Sequence, residues 1–292
     1  YSRFGSFDQL QENNNKRINT ILSELQKGKF KTGTIEQKLS DFYKLALDVE
    51  RRNKEGIAPV KGVLDEIEAA KTISDLRKLQ LKYAVQGYGG QYGAAFAADE
   101  KDVKNNIFNI YQSGLTLGQK DYYLNNDSAT VAIRKAYKDY VGQMFRLYGF
   151  SAQEAQQRAQ ELFRQETLVA LISKSMTELR DPQANYNKMT LAELRADYPH
   201  IPIEQWANAE GIDSKYLQHV VVGQTAFMAG LDKLMALQTV DELKALMEWD
   251  VITSSASYLT DEIREANFNF FGKTMSGRKE DYPLWKRATN QV

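Results

Sequence analysis

Apolar residues recur at a 3.6-residue period over most of this chain, and that repeat restricts it to a mainly α fold. In the first 28 residues, Phe7, Leu10, Ile18, Ile21, Leu22 and Leu25 fall largely on one stripe of a helix. Ser6 with Gln9 can form a capping box before that helix, and Gly28 can end it. A second helix is expected from near Thr34, again with a Gln three residues on. It carries Leu39, Phe42, Tyr43, Ala46 and Leu47 inward and stops before Gly56 and Pro59. Shorter helices are expected at about 60–70 and 74–85. The stretch Gly87-Tyr88-Gly89-Gly90-Gln91-Tyr92-Gly93 breaks the pattern and reads as a flexible turn. Ala94 to Ala98 then reads as a short β element before an acidic turn at Asp99 and Glu100. Helical periodicity returns over about 127–178, and again at about 214–236 and 240–265, with loops at Pro182, Pro199 and Pro202 between. Phe268 to Trp285 is aromatic and contains glycine, and Lys286 and Arg287 follow it.

The charge balance excludes one broad class. Acidic and basic residues number 38 each, with no block of five like charges, so a nucleic-acid binder is not expected. The chain has no cysteine, hence neither a disulfide framework nor a thiolate nucleophile, and this does not assign a compartment. No apolar run approaches the ~20 residues that span a bilayer. With 292 residues, 42% of them hydrophobic, there is room for one large domain or two modest ones around a real core. The sequence opens at Tyr1 and not at Met, so it reads as a mature or excised piece, with any signal peptide or anchor outside it.

Little chemistry is self-contained. A zincin site needs two histidines at i and i+4 with a glutamate between them, so that both imidazoles face one metal. The only histidines, His200 and His219, stand 19 positions apart without such a motif, and surface or packing roles suit them better. No G-x-S-x-G elbow supports a serine nucleophile. The Gly87–Gly93 segment fails the G-x-G-x-x-G spacing because position 92 is Tyr. Asp99, Glu100 and Asp102 lack the glycine and terminal glutamate of a calcium loop, and Lys101 and Lys104 offset them, so a solvated turn is expected. The 16 tyrosines could form a sugar- or peptide-binding surface, but buried rings with a partnered hydroxyl are the commoner use. By chemistry alone the chain is a soluble helical domain without its own active site.

A series of motifs in order along the chain adds to this. Ser2-Arg3-Phe4-Gly5-Ser6-Phe7-Asp8 resembles an S-R-[YF]-G-x-F-D segment. Phe42-Tyr43 with Asp48, then Gly56 and Pro59, resembles F-Y-x-x-x-x-D…G…P. Asp102-Val103-Lys104-Asn105, Gln112 to Leu117 and Asp121-Tyr122-Tyr123 resemble D-x-K-N…Q-x-G-L-x-L…D-Y-Y. Arg180-Asp181-Pro182 with Tyr186-Asn187-Lys188-Met189-Thr190 resembles R-D-P-x-x-x-Y-N-x-M-T, and Phe268 to Gly272, Gly277 and Pro283 to Arg287 resemble a closing segment. Together these are similar to the amino-terminal region of neprilysin-like (M13) zinc metallopeptidases, of bacterial type.

The resemblance implies a multi-helical capping domain that lacks the thermolysin-like catalytic half. Residues 1–28 would lead in from the catalytic domain, 29–270 would form the cap and 271–292 would lead back. The parent would be a zinc endopeptidase cleaving short peptides. Its zinc would be bound outside this chain, and this chain alone would be inactive. Its partners would be peptide substrates and the carboxy-terminal catalytic half, and its location extracytoplasmic, periplasmic or at a bacterial cell surface. Arg3 and Asp8 would help anchor substrate, because a guanidinium can hold a carboxylate or carbonyl and a nearby acid can orient the fork. Capping of the first helix is the alternative for Asp8. Arg180, Asp181, Tyr186 and Asn187 are expected to order a loop. Animal members carry cysteines where Ala46 and Ala288 stand, which fits a disulfide absent as a pair. Leu284 stands where an Arg often precedes the Trp, and nothing physical explains that change. The competing readings are a non-catalytic helical module that binds peptides or glycans, and a structural helical scaffold.

Overall fold

The structure, a computed structural model, describes residues 5–292. The chain divides into two compact units, one made of residues 1–59 and 256–292 and the other of residues 60–255.

The first unit opens with helix α1 (Ser6–Leu25). Gly5 is its N-cap, and the Gly5 N–H donates to Asp8 Oδ2 at 2.7 Å. Asp8 thus closes the first turn in place of the expected Ser6–Gln9 box, since a carboxylate at that position also suits the helix dipole. Helix α2 (Ile35–Leu47) starts as expected, with Thr34 Oγ1 accepting from the Gln37 N–H at 3.3 Å and Gln37 Oε1 accepting from the Gly33 N–H at 3.0 Å. Asp48 caps α3 (Val49–Glu55), accepting from the Arg51 N–H at 3.0 Å. Gly56 ends it at φ +59°, a conformation costly for any residue with a Cβ.

The second unit begins within α4 (Ala58–Ala69) and continues through α5 (Ile73–Ala84). Strands β1 (Tyr92–Asp99) and β2 (Asp102–Gln112) form an antiparallel hairpin in which Phe96 faces Phe108, ring centroids 5.1 Å apart. A short turn of helix, α6 (Asp121–Leu124), precedes the two long helices α7 (Ser128–Leu147) and α8 (Ala152–Ile172). Gly149, at φ +97°, separates them, and Ser151 with Glu154 makes a capping box for α8. Then come β3 (Asn187–Thr190), α9 (Leu191–Asp197), α10 (Ile203–Ala209), β4 (His219–Val222), α11 (Thr225–Leu237) and α12 (Val240–Ser255).

The four strands form one sheet in the order β1-β2-β4-β3, with β4 parallel to β2 and antiparallel to β3. Phe108, Ile110, Val220 and Val222 from the sheet pack with Phe227, Met228 and Leu231 of α11 in the main core of this unit. The mainly α class and the strand near 94–98 agree with the sequence, but that strand is one of four. The expected helix over 214–236 begins instead with a 3-10 turn and β4. The reason lies in the sheet: Val220 to Val222 are all buried, so the strand shows no alternation, and β2 buries only Ile107, Phe108 and Ile110 of its eleven residues.

The first unit resumes with α13 (Asp261–Asn267), a π-helical segment (Phe268–Met275) and α14 (Leu284–Gln291). Its core holds Leu22, Tyr43, Ala46 and Ala288, brought together by α1, α2 and α14. Among the described residues no helix is long and apolar enough to cross a membrane.

Candidate functional site

Of the two residues expected to meet substrate, Arg3 lies outside the described residues. Asp8 is exposed, in the first turn of α1, with one oxygen engaged by the Gly5 N–H. The helix it starts has two distinct faces. Asn19 accepts from the Tyr43 hydroxyl at 2.5 Å and Leu22 is buried, so this face holds α1 to the unit core. Phe7, Leu10, Ile18 and Ile21 point elsewhere, and Phe7 is 86% exposed. The apolar stripe read from the sequence is therefore largely uncovered, with Leu22 its buried member. Helix α2 repeats the arrangement: Tyr43 and Ala46 are buried, while Ile35, Phe42 and Leu45 are exposed. Large apolar side chains exposed on successive helices mark a surface that associates with something else.

Ala46 and Ala288 lie in the same small core cluster, 6% and 1% exposed. Beside them Lys286 pairs with Glu12, and Arg264 Nη1 lies 2.6 Å from Asp281 Oδ2. Charged pairs and methyl-sized packing hold the ends of this unit together without a covalent link.

The second unit orders its loop before β3 through the residues singled out in the sequence. Asp181 Oδ1 accepts from the N–H groups of Gln183 and Ala184 at 3.0 and 3.1 Å. Asn187 Nδ2 donates to the Val222 carbonyl at 2.9 Å, joining the loop to β4, while Arg180 is exposed. The Tyr186 hydroxyl donates to Asp99, which also receives Lys188 Nζ at 3.0 Å and the Lys101 N–H at 3.0 Å. Asp99 is thus no solvated turn residue: it is 3% exposed. Hydrogen bonding, the Tyr186 donor first, holds its carboxyl down at about 2.

A second buried carboxylate sits on α8. Glu166 is 2% exposed and accepts from the Thr116 N–H at 3.1 Å, the Tyr123 hydroxyl at 3.1 Å and the Tyr137 hydroxyl at 2.7 Å. The Thr116 hydroxyl also donates to it, and Trp249 Nε1 donates to that same hydroxyl oxygen at 2.8 Å. Burial pushes the Glu166 carboxyl up, and these donors oppose the rise. Close by, Asp250 on α12 and the Gly89–Gln91 segment border a cavity of about 310 Å³ that Glu166 also lines. Gln91 is fixed from behind by Arg77, whose Nη1 donates to its Oε1 at 2.9 Å. The expected flexible turn is therefore held in place by a half-buried guanidinium. The sequence reading passed over Glu166 and Asp250, yet a signal existed. Glu166 falls four residues after Leu162 and three before Val169, an acid on the apolar face of a helix.

Neither histidine joins these groups. His200 Nδ1 lies 3.0 Å from Asp232 Oδ2, and His219 opens β4 at the surface. Among the described residues no three His, Asp or Glu side chains converge in a way that could hold a metal, so this donor set does not fit a zinc ion.

A sequence profile of peptidase family M13 matches residues 1–292. Human endothelin-converting enzyme 1 is 24% identical over 297 residues, a match covering 98% of this chain and 38% of that protein. The crystal structure of Mycobacterium tuberculosis zinc metalloprotease Zmp1 in complex with inhibitor superposes with a TM-score of 0.92 at 25% identity, covering 99% of this chain and 44% of that one. The same protease in its open state gives 0.91 at 25% identity, covering 99% and 45%. The chain thus spans about two-fifths of the length of the relatives it matches.

Proposed function

Because the chain belongs to peptidase family M13, we propose that it is the amino-terminal, capping portion of a zinc-dependent endopeptidase that cleaves short peptides. The observation that carries this reading is the family match along residues 1–292, together with relatives that are more than twice as long and match 98% of this chain. The uncovered apolar stripes of α1 and α2 support it, since a catalytic half elsewhere in the protein is a natural cover for them. In this reading residues 1–28 and 271–292 lead to and from that half, and residues 29–270 form the wall and lid that restrict access to small substrates. The zinc is held outside this chain, since among the described residues no donors converge on a metal site. This chain contributes no catalytic group; Arg3 and Asp8 help anchor the peptide, Asp8 through the carboxylate oxygen that the cap leaves free. The cap moves relative to the catalytic half to admit substrate, a motion consistent with the open state recorded for the mycobacterial relative. The protein works outside the cytoplasm, in the periplasm or at the cell surface.

The deciding experiment uses the full-length protein. Metal analysis is expected to give about one zinc per molecule. Short fluorogenic peptides are expected to be cut, folded proteins to be spared, and chelation to abolish cleavage. A zinc-loaded full-length protein that leaves short peptides intact sinks the reading. Binding without cleavage would point to a peptide- or glycan-binding module.

A further inference from the structure

The cavity beside Gly89–Gln91 has an uneven lining. Leu162 and Val169 of α8 and Leu246 of α12 give it apolar walls. Its charged lining is Glu166 and Asp250, with no Lys, Arg or His among the lining residues. The two acids differ in one respect. Glu166 is saturated by the Thr116, Tyr123 and Tyr137 donors and is closed to further partners. No donor among the described residues reaches the Asp250 carboxylate. Its Oδ1 would lie 3.0 Å from a Cβ placed on Gly89, so the glycine is what leaves this approach open. A half-buried carboxylate without a donor is costly unless a cation completes it, and apolar walls suit a cation carried on a methylene stem.

We propose that this cavity binds a primary ammonium group on an alkyl stem, the side chain of a peptide lysine, with Asp250 as its counter-ion. The stem lies along Leu162, Val169 and Leu246, and the ammonium donates to Asp250. The choice of a peptide as the source rests on the peptidase reading; the chemistry of the cavity does not. The titratable groups that line the cavity are Asp250 from α12, Glu166 from α8 and Tyr92 from the start of β1. Burial first and the Glu166 charge second push the Asp250 carboxyl up to about 7. Occupancy therefore weakens as pH falls below that value, because protonation removes the counter-ion.

The test is a ligand-detected NMR titration of the full-length protein with its zinc chelated, using N-acetyl-lysine methylamide and its neutral isostere N-acetyl-norleucine methylamide. The lysine compound is expected to bind roughly tenfold tighter or more, the range for a charged hydrogen bond. That preference should vanish in Asp250→Asn and shrink between pH 8 and pH 6. Equal binding of the two compounds to the wild type would overturn the proposal without recourse to any variant. So would a lysine preference that survives in Asp250→Asn, or tighter binding of N-acetyl-arginine methylamide. Chelation separates this outcome from the peptidase reading, because the titration needs no cleavage.

Discussion

The Tyr186 hydroxyl donates to the Asp99 carboxylate at 2.7 Å, across 87 positions of sequence. Through it the tip of the β1–β2 hairpin is tied to the loop that leads into β3. Lys101 Nζ lies 4.4 Å from the centre of the Tyr186 ring, so the same tyrosine is gripped at both its hydroxyl and its face.

That contact sets an acid limit. Asp99 titrates at about 2 in the folded protein against an ordinary 3.8. A carboxyl depressed in this way adds stability above the unfolded value and loses it as pH falls through the folded one. Tyr186→Phe removes the largest cause of the depression, so acid unfolding should begin at higher pH. Circular dichroism followed from pH 5 to pH 1.5 reads the shift; superimposable acid limbs would refute it.

Glu166 should be costly to remove. In Glu166→Ala the Tyr123 and Tyr137 hydroxyls and the Thr116 N–H lose a common acceptor inside the unit. Each buried donor left unsatisfied costs about 1–3 kcal/mol, with partial relief by rearrangement, so a loss of about 3 kcal/mol is expected. Urea unfolding of both proteins at pH 7 measures it, and a change below about 0.5 kcal/mol would mean that water replaces the carboxylate freely.

The apolar stripe of α1 predicts a separation of effects. Ile18→Ser and Ile21→Ser lie on an exposed face, so the melting of residues 1–292 should move by no more than about 0.5 kcal/mol equivalent. In the full-length protein the same changes should lower stability by about 1–2 kcal/mol each, because burying Ile against a partner is worth about that much. Identical losses in both contexts would show that the stripe has no partner.

Ala46 and Ala288 share a core cluster with Leu22 and Tyr43. The double variant Ala46→Cys, Ala288→Cys should therefore form a disulfide under oxidation. Closing a loop of roughly 240 residues should stabilise the protein by about 2–4 kcal/mol. Mass spectrometry after thiol alkylation and a comparison of oxidised and reduced melts test both steps.

What the sequence made legible was local. Thr34 caps its helix through a bond to a group three residues away, and a three-residue relation is visible in a linear chain, whereas the break that Asp48 makes between α2 and α3 was read as continuous helix. The Asp181 and Asn187 loop contacts were likewise accessible, because Asp181 bonds its own neighbours and the motif was already marked. Asp99 was misjudged for the opposite reason. Its partners Tyr186 and Lys188 stand 87 and 89 positions on, in β3 and the loop before it, so its burial could not be read from Glu100 and Lys101 beside it. Strand β4 was lost in the same way: Val220 to Val222 look like a helical apolar stretch until β2 and β3 flank them. The stripe of α1 was read correctly as apolar, and Phe42 of α2 was read wrongly as inward, since periodicity reports which side chains avoid water and not what covers them.

The first unit is assembled from the two ends of the chain, and Lys286 of α14, which meets Glu12 of α1, follows it by 274 positions. A ribosome adding roughly 5–20 residues per second leaves α1 waiting for tens of seconds before α14 emerges. Residues 60–255 can collapse on their own core during that interval. Helix α1, with Phe7, Leu10, Ile18 and Ile21 uncovered, has only α2 to pack against in that interval and remains a sticky segment. Holdase chaperones are thus expected to dwell on residues 5–59 as they emerge, and slow codons between α2 and α14 should increase aggregation through this helix more than through any other.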